Sequence, residues 1–119
     1  MAFDSVSRLP ISVYTLGMEP AVSLAGVSAV GAGTALDGAV VRSTAVMSTT
    51  ASAGTTAGAV QLEGSLDNAN WVNLGSAVST TAAGTTQTVV SNAYARYVRA
   101  AVTTAITGGT VTVSVGVAG

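Results

Sequence analysis

The chain has 119 residues, a length that fits one domain, with four Lys or Arg, five Asp or Glu and a net charge of −1. It contains no His, Cys or Lys, which removes disulfides, thiolate metal sites and most nucleophile–base pairs, and no basic patch that would suit nucleic acid. Charged residues are 8% of the chain, against roughly 25% in an ordinary soluble domain, so little on its surface opposes association.

The apolar content is mostly Ala and Val, and the aromatic residues are Phe3, Tyr14, Trp71, Tyr94 and Tyr97. Small side chains make a thin core, and β-branched residues at this density favour strands over helices. The start, Met1-Ala2-Phe3-Asp4, lacks the basic and apolar regions of a signal peptide. Residues 10–16 read as a short strand that Pro10 and Pro20 confine to an edge or an arm. Residues 21–37 have weak periodicity, and Gly26, Gly31 and Gly33 disfavour a helix, so the reading is extended chain or loop. The uncharged run from Pro20 to Leu36 is too short and too interrupted for a membrane span.

Gly38 to Ser48 alternates as a strand, and residues 48–58 are a low-complexity Ser/Thr/Ala/Gly stretch expected to form a mobile loop tip. From Val60 to Leu74 the pattern is strand, tight turn, strand. Val60, Leu62 and Leu66 share the parity expected to face the core, and Asp67-Asn68-Ala69-Asn70 supplies the turn. Asn68 is placed to take a positive φ. Trp71, the only tryptophan, is expected to be the core anchor, against Val98, Ala100, Val102 and Val113.

Ser76 to Gly84 is a second small-residue connection, and Thr85 to Ser91 alternates again. In Tyr94 to Thr103, Val98, Ala100 and Val102 face the core and Tyr97 and Arg99 the other side. That parity would put Arg96 inward, which predicts a strand end or a bulge just before it. Gly108-Gly109 marks a hairpin turn, and Val111, Val113, Val115 and Val117 alternate with small residues in the cleanest strand of the chain. Burying each of those valines contributes at most about 1.5–3 kcal/mol.

Six to eight short strands with closely spaced turns predict an all-β fold: an antiparallel β-sandwich or partly open, jelly-roll-like barrel. Residues 37–119 form that domain, and residues 1–36 an extended N-terminal arm and loop.

For chemistry the residues offer little. Glu63 and Asp67 are the closest carboxylates, but four residues of strand span about 13 Å, beyond the roughly 5–9.5 Å of a glycosidase pair. Asp67, Asn68 and Asn70 could offer oxygens to Ca²⁺, but a turn that bonds itself explains them better. Arg96 and Arg99 are expected to pair with Asp37, Glu63 or Asp67. No catalytic residue, cofactor or metal site is expected, and the domain is read as a non-enzyme.

The Ser65-Leu66-Asp67-Asn68-Ala69-Asn70-Trp71 hairpin, the Ala95-Arg96-Tyr97-Val98-Arg99 strand and the terminal Gly-Gly-Thr-Val-Thr-Val-Ser-Val run resemble small β-sandwich proteins of tailed-bacteriophage virions, head decoration (cement) proteins among them. The first two motifs are also similar to the discoidin sandwich, where Gly usually follows the Asp. Asn68, the next-best residue for positive φ, stands there in this chain. The resemblance implies structural roles for Trp71, Asp67, Asn68, Arg96, Tyr97, Arg99, Gly108 and Gly109. It further implies a protein of the capsid exterior that binds the major capsid protein and stabilises the shell, as a homo-oligomer whose expected number, three, comes from the resemblance alone. A tail, collar or fibre component and a carbohydrate-binding module are the alternative readings.

Overall fold

The computed structural model describes residues 19–119; the strand expected at 10–16 lies outside them. Seven strands follow in order: β1 (Ala21–Val27), β2 (Gly31–Ala32), β3 (Leu36–Ala51), β4 (Ala57–Ser65), β5 (Val72–Ser79), β6 (Gly84–Thr107) and β7 (Val111–Ala118). There is no helix among the described residues, and every strand pair is antiparallel. The all-β fold expected from the alternation is therefore present.

The architecture turns on β6, which is 24 residues long and serves both halves of an open β-sandwich. Its first half pairs with β3, which pairs in turn with β7 and β7 with β1. Its second half pairs with β4 and with the two residues of β2, and β4 carries β5. A strand this long can change layers because two bulges stand opposite each other where the halves meet. Asp37 pairs with Tyr97 and Arg42 with Ala95, so β3 carries extra residues there; between Arg42 and Thr44 the excess passes to β6. Ala39, Asn92 and Tyr94 have positive φ at this corner, of 70°, 58° and 48°. Bulges raise local twist and bend a strand, which lets one ladder feed two layers.

The core fills the space between the layers mostly with Val and Ala, with Leu24, Met47, Leu62, Leu74 and Ile106 as its longer side chains. Met47, Val60, Leu62, Val98, Val102, Val111, Val113 and Val115 are fully buried. Every Val of β7 faces inward, as its alternation predicts. At the β6–β7 hairpin only Gly108 takes a positive φ, 83°. Gly109 is required for space instead, because a Cβ there would collide with Ser52 Oγ and Thr55 Oγ1.

Several sequence expectations are corrected. Residues 21–36, read as arm and loop, contribute β1 and β2 to the sheet. Their weak periodicity follows from two register shifts in β1, a left-handed Gly26, and Ser23, a polar side chain on the buried side. Ser23 Oγ donates to the Thr34 carbonyl (2.7 Å) and accepts from the Ala100 N–H (2.9 Å), tying β1 to β6. Residues 48–58 are not a free loop tip: β3 runs to Ala51, β4 starts at Ala57, and Ser52 exchanges hydrogen bonds with Thr110. Leu66 lies beyond the end of β4 and is 64% exposed, so its parity with Val60 and Leu62 does not carry it into the core. The two strands expected at 85–91 and 94–103 are one strand, bulged in front of Arg96 as the parity conflict there predicts.

Candidate functional site

The residues singled out in the sequence gather mainly along the β4–β5 hairpin and the middle of β6. The hairpin loop is closed by its own side chains. Asp67 Oδ1 accepts from the backbone N–H of Asn70 (2.8 Å) and Ala69 (2.9 Å) and from Ser65 Oγ (2.9 Å). Asp67 Oδ2 accepts from Asn70 Nδ2 at 2.7 Å. Ser65 Oγ accepts in turn from the N–H of Asp67 and Asn68. Those donors, the Asn70 N–H first, hold the Asp67 carboxyl far below the usual carboxylate range although it is exposed. Asn68 has φ 61°, as expected for this turn. The loop is thus a self-bonded turn, and among the described residues no group of three or more Asp, Glu, His or Cys comes together to hold a metal.

Register places Glu63 opposite Arg99 and Ser65 opposite Tyr97. Arg99 Nε donates to Glu63 Oε1 at 2.7 Å, and its guanidinium lies 4.0 Å from the centroid of the Trp71 ring. Trp71 is therefore not the core anchor. It is half-buried on the outer side of the β4–β6 layer, because Gly64 pairs with Val72 and the chain has not yet re-entered the sheet at residue 71. Met47 and the Val and Leu residues of β4, β6 and β7 fill the space that Trp71 was expected to occupy. The resulting stack of carboxylate, guanidinium and indole pins the hairpin to β6.

Arg96 makes the second pair: Nε and Nη2 donate to the two carboxylate oxygens of Asp37, at 2.9 and 3.2 Å. Its guanidinium also lies 5.1 Å from the Tyr97 ring centroid. Arg96 lowers the Asp37 pKa, helped by the Ala39 N–H, and Asp37 raises that of Arg96. Gly108 and Gly109 stand apart from this group, at the far end of β6.

Other residues matter without having been visible in the sequence. Gln61 is buried, and its Nε2 donates to the carbonyls of Leu62, Leu74 and Gly75, which stabilises a bulge in β5. Arg42 is only 8% exposed; its Nε donates to the Gly38 carbonyl across the β3 bulge at 2.8 Å. Between the hairpin loop and the β6 bulge lies an open cavity of about 310 Å³, lined by Leu66, Asp67, Asn70, Val72, Tyr94 and Ala95. Only the polarity conflict at Arg96 hinted at that bulge.

Chemically, the arrangement commits its charges to structure: Glu63 and Asp37 to arginines, Asp67 to its own loop. A profile for a domain of unknown function, DUF6385, matches residues 39–119. The chain belongs to the DUF6385 family. The DUF6385 match runs from the β3 bulge to the end of β7 and so takes in the hairpin loop, the Glu63–Arg99–Trp71 stack and the Asp37-paired Arg96. A search of curated proteins gave no match.

Proposed function

We propose that this protein works by assembly rather than by catalysis, as a structural protein of a tailed-phage virion, in the first place a decoration protein on the capsid exterior. The observation that carries the assembly reading is the surface itself. Val22, Val30, Val40, Val41, Leu66, Val72, Val89 and Tyr94 are each at least half exposed. Among the described residues, the Asp37, Arg96, Glu63 and Arg99 charges neutralise one another in pairs, and Arg42 is buried. A small domain with so much exposed apolar surface and so little free charge gains by being covered. The virion, the capsid partner and the outer location rest on the motif resemblance.

The described chain begins beside a groove of about 320 Å³ on the outer face of β3 and β7, lined by Pro20, Val46, Ser48 and Gly116. A carbohydrate-binding role is the second reading, favoured by the exposed Tyr94 ring at the cavity with Asp67 and Asn70.

The test mixes the full chain with undecorated capsids and, in parallel, with a glycan array. Co-sedimentation with capsids, lost on deletion of residues 1–18 while the circular dichroism stays that of a β protein, is the expected result. Retention on glycans with no capsid binding overturns it in favour of the second reading.

A further inference from the structure

Among the described residues the sheet has several edges, and all but one are blunted. β1 is broken by two register shifts and a left-handed Gly26 and follows directly on Pro20. β5 carries a register shift against β4 and a left-handed Gly75, and β2 is only two residues long. The remaining edge is the first half of β6. From Gly84 to Ser91 it pairs with Ala51 to Thr44 of β3 residue by residue, with no register shift. β4 joins β6 only from Tyr97 onward, so among the described residues the other side of Gly84–Ser91 has no neighbouring strand. Thr85, Thr86, Gln87 and Val89 are exposed, and Val89 is 58% so. The segment holds no charge and no Pro. A straight, uncovered and uncharged edge of this length is a template for another strand, and natural proteins normally protect it with Lys, Pro or a bulge.

We propose that Gly84–Ser91 is the self-association edge of this protein, and that two copies pair there antiparallel about a two-fold axis at Gln87 or Thr88. The occupant is a second copy because the edge is self-complementary. An axis through either residue sets Thr, Gln and Val opposite one another and brings no like charges together. Side-chain parity is kept, so the Thr86, Thr88 and Val90 sides of both copies continue the core-facing surface of β3. The two β1–β7–β3–β6 layers then become one continuous sheet, with the outward N–H and C=O groups of both edges satisfied. This pairing goes beyond the virion reading, since it requires no capsid and can be measured on the isolated chain.

Sedimentation velocity on the full chain tests it. The wild type is expected at about twice the 11.5 kDa chain mass. The Q87K/V89K double variant sets Lys against Lys for either axis position and is expected as a monomer with unchanged circular dichroism. Mixing it in equal amounts with Q87E/V89E is expected to restore the two-chain species. A wild type that is monomeric at every concentration, or a Lys variant that stays associated, overturns the proposal. Should the Lys variant not fold, hydrogen exchange on the wild type decides. Protection of the Gly84–Ser91 amides that rises with protein concentration supports the pairing, and exchange independent of concentration refutes it.

Discussion

Asp67 shows how much structure one exposed carboxylate can hold. Its pKa is lower in the folded chain than in the unfolded one, where an Asp titrates near about 4. The stability it contributes is therefore complete above that value and is lost as the pH falls below it toward the folded pKa. Asp67→Asn should melt below the wild type at neutral pH, and the gap should narrow in acid; parallel melting curves from pH 6 down to pH 2 would contradict the assignment. Trp71 makes the opposite point, since a lone tryptophan among small residues invites a core position. Here the Arg99 guanidinium covers the ring on the outer face, so Trp71→Ala should cost about 1–2 kcal/mol rather than the roughly 3–5 kcal/mol of a buried Trp. Denaturant titration separates the two values. Asn68→Gly should be neutral or slightly stabilising at φ 61°, and Asn68→Val clearly destabilising; equal melting temperatures for the two would count against the turn.

Among the elements, those with regular pairing were legible in the sequence and those interrupted by bulges were not. β7 could be read residue by residue because it pairs with β3 without a shift and the irregularities opposite it put their extra residues in β1, so its four valines keep a period of two. β1 and β2 could not, because register shifts destroy a period of two and Ser23 is buried through hydrogen bonds that only the distant Thr34 and Ala100 supply. The same holds for Leu66, whose parity was right for a strand that ends one residue earlier. Within the candidate site, the pairing of Arg96 and Arg99 with carboxylates was expected from charge alone, but which partner each takes depends on register. The cavity beside Tyr94 depends on a left-handed tyrosine that no local signal announces. In β3, Thr49 is fully buried and its Oγ1 has no hydrogen-bond partner among the described residues. Thr49→Val keeps the shape and removes the unpaired hydroxyl, so it should stabilise by about 1 kcal/mol, read as a melting temperature a few degrees higher. Met47→Ala, in the same strand, should cost about 2–5 kcal/mol, whereas Leu66→Ala should change stability by about 0.5 kcal/mol or less.

At the scale of the whole molecule, an open sandwich with two arginine–carboxylate pairs, exposed valines and, among the described residues, one unprotected edge has a surface that association would cover. Asp37, Arg42, Glu63, Asp67, Arg96 and Arg99 stabilise the hairpin and the corner where β6 changes layers, and the rest of the outer faces is mostly Thr, Ser, Ala and Val. The proposed assembly role uses these features together. The proposed decoration role is tested most directly by quantitative mass spectrometry of purified virions, which reads the copy number of this chain per particle. A decoration protein is expected at hundreds of copies per particle, in fixed proportion to the major capsid protein. A chain found only in the soluble fraction, and in no particle, would contradict the account.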